Sequence, residues 1–278
     1  EQLRYVEDVH DRSMNFIKKN AEGEAPFFMC YWFHGPNIAG VHRLGRRSDS
    51  SIANGDGDGL QEIDDRLGEM FELLRSEGID ENTLVIVMAD NGPMLEVFPT
   101  MANFGIFRGG KGAFTEGGVR VPAFAWWPGM IEAGSVVGDI FHVTDFYTTF
   151  ARLGGAMKHI PTDRVIDGVD QTAMLINGDA HGRRDYVHIY TGPVLAATVK
   201  QQFKRHWIGE RPGLAGKSFF DLYRDPREEY GLMAQFLWAW EPFDAMKMRH
   251  QALMEKYPNT PTKRAEPFGG IELIASKK

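Results

Sequence analysis

One stretch constrains this chain more than any other: Thr83 to Pro122, TLVIVMADNGPMLEVFPTMANFGIFRGGKGAFTEGGVRVP. It opens on Leu84-Val85-Ile86-Val87-Met88, whose length and β-branched content predict a strand buried on both faces. The run stops at Asp90-Asn91-Gly92-Pro93, where two oxygen-bearing side chains sit beside a turn-forming pair. In an open α/β sheet ligands bind just beyond the carboxyl ends of such strands. A carboxylate beside an amide carbonyl there makes half of a hard-cation site. Further on, Gly109-Gly110-Lys111-Gly112 is a loop of nearly bare backbone presenting one ammonium. Glu116-Gly117-Gly118-Val119-Arg120-Val121-Pro122 then leads into a second apolar run, Ala123 to Trp127. A cation site next to a loop-borne lysine suits a tetrahedral oxyanion, sulfate or phosphate.

The flanking sequence supplies the frame. Leu3, Val6, His10, Met14 and Ile17 recur at helical spacing over residues 1–20, and Phe27 to Phe33 (FFMCYWF) reads as a second buried strand. It ends at His34-Gly35-Pro36-Asn37, again at a strand's carboxyl end. A helix is predicted over 58–77 from Leu60, Ile63, Leu67, Met70, Phe71 and Leu74, with Asp64, Asp65, Glu69 and Glu72 on its solvated side. A helix between two buried strands is a βαβ unit, so the fold class is α/β with a mostly parallel or mixed sheet flanked by helices. Asp145 to Leu153 carries a further helical pattern opened by an N-cap candidate. Tyr186–Tyr190, Leu195–Val199 and Phe203–Ile208 predict a smaller C-terminal antiparallel sheet. Asp225-Pro226 reads as the start of a helix packed on it, and 242–256 as a last helix. The expected division is a core domain, 1–180, and a C-terminal subdomain, 181–278.

Other features carry less. Asn54-Gly55-Asp56-Gly57-Asp58-Gly59, with Asp65 at the twelfth place, approximates a calcium-binding EF-hand loop. Asn opens it, Asp replaces the bidentate Glu, and no strongly apolar helix precedes it, so a surface turn is the better reading. His42, Arg43, Arg46 and Arg47 read as a solvated loop. A formal charge of -7 argues against a nucleic-acid partner, which would want a basic face. No apolar run approaches the length of a membrane span. The one cysteine, Cys30, lies inside FFMCYWF and reads as a buried core thiol.

In order, the apolar strand, D-N-G, G-K-G, E-G-G-x-R-x-P and the strand ending Trp126-Trp127-Pro128-Gly129 resemble the type I sulfatases of the alkaline phosphatase superfamily, most nearly the arylsulfatases. Asp167-Gly168-Val169-Asp170 and Phe219 to Glu229 fit the family's later segments more loosely. The resemblance implies a sulfuric ester hydrolase acting on a small-molecule or sugar sulfate, in a periplasmic, secreted or lysosomal setting. It assigns Asp90 and Asn91 to a Ca²⁺ ion (Mg²⁺ as the variant), and Lys111 to the sulfate. His34 falls on the first histidine of the family's H-x-P-H. The second, credited with handling the leaving group, is Asn37 here, and an amide cannot donate a proton as an imidazolium can.

The family's nucleophile is a formylglycine made from the cysteine of C-x-P-x-R, and no such motif occurs in the chain. Its Asp-Asp pair of metal ligands is also absent, since Asp64-Asp65 falls mid-helix. The chain therefore reads as the C-terminal portion of a sulfatase. Two other readings accompany that one: a sibling hydrolase of phosphate or phosphonate esters, and a non-catalytic, degenerate or truncated protein of the same fold. Nothing in the pattern specifies an oligomeric state.

Overall fold

The computed structural model describes residues 2–33, 55–94, 105–208, 218–231 and 237–258. These divide into two compact units, Glu1–Ile160 with Asp167–Phe236, and Pro161–Ile166 with Leu237–Lys278. The four-stranded sheet thus shares a unit with the first 160 residues rather than standing beyond a boundary at 180.

The first unit begins with helix α1, Gln2–Ala21, and helix α2, Gly55–Ser76. The helical spacing of apolar side chains brings Ile17 of α1 against Met70, Leu73 and Leu74 of α2 in one buried cluster. Leu60 is exposed, and α2 starts at Gly55, so the EF-hand-like stretch from 55 to 65 is helix rather than a turn or a cation loop. His10 is buried between the helices, 2.9 Å from Glu69 Oε2 and 3.2 Å from the Tyr31 hydroxyl.

Strand β1, Val85–Met88, pairs with β2, Ala123–Trp126, and the ladder is antiparallel, from Val85 opposite Trp126 to Met88 opposite Ala123. The α/β class holds. The parallel ladder of a βαβ unit is not found among the described residues. Phe27–Phe33 is not assigned as a strand, yet its residues alternate between half-buried and exposed, the period of a strand with one covered face. Met29 and Tyr31 pack on the same α1–α2 cluster as Val85 and Trp126. Phe28 and Trp32 face outward, 69% and 83% exposed, and Cys30 between them is exposed too. The expectation of a buried thiol is therefore overturned: alternation puts Cys30 on the open side.

Three shorter helices belong to the same unit: α3, Glu116–Val119, between β1 and β2, then α4, Asp145–Leu153, and α5, Thr172–Asn177. Strands β3 (Tyr186–Thr191), β4 (Val194–Lys200), β5 (Phe203–His206) and β6 (Phe219–Asp221) form an antiparallel meander in sequence order. Gly192, at φ +55°, opens the two-residue turn between β3 and β4, a conformation other residues rarely adopt. Ile189, Ala197, Val199 and Leu222 form the sheet's buried cluster, and Phe114 packs on it from the G-K-G loop. Residues after β6 make tight turns rather than the expected helix at Asp225-Pro226. Asp221 and Asp225 accept backbone N–H groups there, so side-chain oxygens take the place of helical carbonyls. In the second unit, helix α6 runs Leu237–Lys256, carries Pro242 within it and buries Ala239, Phe243 and Met246. No helix among the described residues is long and apolar enough to cross a membrane.

Candidate active site

The turn Asp90–Gly92 follows β1, and its neighbours are the two glycine-rich segments. Three backbone hydrogen bonds join them: Gly92 N–H to Gly118 O at 3.0 Å, Lys111 N–H to Pro93 O at 2.8 Å, and Gly117 N–H to Arg108 O at 2.9 Å. Such main-chain contact explains the glycines. A β-carbon on Gly92 would stand 1.8 Å from Gly117 O, and one on Gly118 would stand 2.2 Å from Ala113 O. No side chain fits between these backbones, so D-N-G, G-K-G and E-G-G form one folded object.

Lys111 sits at the exposed tip of this object, and none of the described residues forms an ion pair with its ammonium. Asp90 is exposed and Asn91 half-buried. The Asn91 amide donates from Nδ2 to Gly92 O at 2.8 Å, which orients it and leaves Oδ1 as an open acceptor. His34 and Asn37, with His42, Arg43, Arg46 and Arg47, lie outside the described residues. Among the described residues no cluster of three His, Cys, Asp or Glu could hold a metal.

The base of the loop is fastened by charges that the sequence reading missed. Helix α3 starts on a buried glutamate. Glu116 Oε2 accepts from Arg120 Nε at 2.7 Å, the i,i+4 pairing that E-G-G-x-R encodes. Its Oε1 faces Lys204 Nζ at 3.0 Å. Lys204, on β5, is fully buried, donates to Phe114 O (2.8 Å) and to Glu116 Oε1, and forms an ion pair with Glu228 Oε2 at 3.2 Å. Glu228 Oε1 accepts the Glu116 N–H at 2.6 Å, and its Oε2 accepts from His206 Nε2 at 2.5 Å. Burial would raise the Glu228 carboxyl; the His206 bond, Lys204 and the Glu116 N–H outweigh it and hold it below its ordinary value. Glu228 reaches in from a turn at φ +56°, costly for a residue with a β-carbon. A lysine at the centre of a buried strand was the available signal.

A second buried hub braces helix α4. The Asp145 carboxylate accepts from His142 N–H at 2.9 Å, Val169 N–H at 2.8 Å and Arg184 Nε at 2.8 Å, with Arg184 Nη2 also bound. Burial alone would raise its pKa; Arg184 and the two N–H groups prevail and keep it below the usual carboxylate range. Asp145 is thus an anchor for the 167–170 segment and β3 rather than a side-chain N-cap, which no hydrogen bond at the helix start supports.

Compared with known proteins, residues 3–156 match the family model described as Sulfatase. The chain belongs to the sulfatase family. Relatives include N-acetylgalactosamine-6-sulfatase of Mus musculus, 36% identical over 195 residues, covering 70% of this chain and 36% of the relative. The steryl-sulfatase of Rattus norvegicus is 28% identical over 287 residues, covering 88% of this chain and 48% of its own length. The chain thus spans about half or less of the length of these relatives. Among solved structures, the PsFucS1 sulfatase from Pseudoalteromonas sp. superposes with a TM-score of 0.77 at 31% identity, covering 92% of this chain and 54% of that one. This member of the sulfatase family therefore presents the D-N-G, G-K-G and E-G-G elements as one interlocked unit. Its two oxygen donors suit a hard cation in kind, but a Ca²⁺ ion takes roughly six to eight oxygens.

Proposed function

We propose that this chain carries the cation- and sulfate-binding part of a sulfuric ester hydrolase. The observation that supports it best is the backbone stitching of D-N-G to G-K-G, which sets Lys111 beside the turn bearing Asp90 and Asn91. In this reading Asp90 and Asn91 Oδ1 hold Ca²⁺, with Mg²⁺ as the variant. A bound cation supplies charge stabilisation to a sulfate oxygen. The Lys111 ammonium pairs with another sulfate oxygen and offsets the negative charge it carries. His34 assists near the leaving oxygen, and Asn37, lacking an ionisable proton, contributes hydrogen bonding only. The formylglycine nucleophile has no source in this chain, because Cys30 is followed by Tyr-Trp-Phe rather than by x-P-x-R. The substrate class is a sugar or other small-molecule sulfate ester. The matched relatives are named for an amino-sugar sulfate and for a steryl sulfate, so the family name alone does not choose the alcohol.

Two measurements test this on the protein that carries the chain. Calcium titration should show binding that Asp90→Ala weakens on the order of a hundredfold; undiminished affinity would remove the cation site. Hydrolysis of an aryl sulfate should fall about a hundredfold in Lys111→Ala, against little change in Lys158→Ala, an exposed control. Equal effects of the two substitutions would sink the role given to Lys111.

A further inference from the structure

The buried Lys204 network meets the G-K-G loop at its base, and its members come from a different part of the chain. Lys204 and His206 are on β5, and Glu228 is on the turn after β6. Through them the C-terminal sheet grips Phe114 O and both the N–H and the carboxylate of Glu116. Phe114 adds an edge contact with the His206 ring, centroids 4.9 Å apart. Beyond these grips the loop is closed on itself: Thr115 Oγ1 donates to Arg108 O at 2.7 Å, and Ala113 N–H donates to Gly110 O at 2.9 Å. Lys111 stands at the tip, three residues before Phe114, so movement at the base passes directly to the ammonium.

We propose that Lys204 and Glu228 are positioning residues of the sulfate site, holding the loop of Lys111 in register with Asp90 and Asn91. The inference rests on the sulfate role given to Lys111 above. A core stabilised only by apolar burial would not need it, for the loop's base already packs through Phe114. What the charges add is direction. The Lys204 ammonium ties the 114–116 segment to the turn that carries Glu228, and Glu228 divides its two oxygens between the Glu116 N–H and the Lys204 and His206 side chains of β5. A buried network of directional hydrogen bonds and ion pairs favours one arrangement of its members, whereas apolar packing tolerates sliding. The positive φ of Glu228 fits this, since a strained backbone persists where its surroundings over-determine it.

The experiment follows acylation of the Lys111 amine, residue by residue by mass spectrometry, with and without inorganic sulfate, together with amide hydrogen exchange. In the parent protein sulfate should protect Lys111. In Lys204→Met, and in the isosteric Glu228→Gln should the first fail to fold, that protection should fall about tenfold. Exchange should quicken selectively across 108–118 while the β3–β4 amides keep their protection. A purely structural role would instead speed exchange in loop and sheet alike, and that result would overturn the proposal. Protection of Lys111 that survives both substitutions would overturn it as well. Absence of sulfate protection in the parent would overturn the underlying sulfate reading and the proposal with it.

Discussion

At the scale of single residues, the site is decided by what is missing from glycine. Adding a methyl group to Gly92 sets it 1.8 Å from Gly117 O, a distance no rotamer can relieve because both groups are backbone. Gly92→Ala should cost about 3 kcal/mol, at the upper end for overpacking. Gly68 is a fair control. It lies in α2 with nothing within 4 Å of its would-be β-carbon, and Gly68→Ala should add about 0.5–1 kcal/mol by helix propensity and chain entropy. Denaturant melts of the two variants check both signs. The D-N-G, G-K-G and E-G-G motifs were legible in the sequence as an ordered set because close backbone approach leaves glycines at positions 92, 117 and 118. Lys204 and Glu228 were not. Their partners stand 88 and 112 residues away, and no local period reports a contact of that range.

At the scale of elements, periodicity identified most pieces and misjudged their surroundings. The α1 and α2 faces, β1, β2 and the C-terminal meander fall close to where the apolar pattern puts them. The run FFMCYWF is apolar at every position, so its sequence predicts two covered faces; the structure covers one. The Asp225-Pro226 pair signalled a helix start, but Asp221 and Asp225 captured the local N–H groups and closed turns instead. Outward alternation carries a direct test at Cys30. Its thiol should react with an aromatic disulfide reagent in the native protein, with kinetics unchanged by added denaturant beyond the reagent's own response. A thiol that waits for unfolding would contradict the exposure described.

At the scale of the molecule, the buried carboxylates tie stability to pH. Asp145 and Glu228 titrate in the folded protein below their ordinary 3.8 and 4.5. Below those values the unfolded chain binds protons that the folded one refuses, so their contribution is full above about pH 5 and is lost as acid is added. His142 has the same sign: burial, then Arg184, hold it below its ordinary 6.5, so neutral imidazole is favoured and its contribution starts to fade just under that value. The melting temperature should therefore slip gently below about pH 6.5 and steeply below about pH 4.5, with the steep part shallower in Glu228→Gln. Thermal melts followed by circular dichroism across that range decide it; identical acid slopes for parent and variant would refute the assignment to Glu228. The outward side of residues 28–32 bears on the same range. A net charge of -7 keeps copies of the chain apart at neutrality, and that repulsion vanishes near the isoelectric point of about 5.7. Acidification brings the colloid to its least repulsive state while Phe28 and Trp32 are still on display, so clumping competes with refolding before either buried carboxylate has gained its proton.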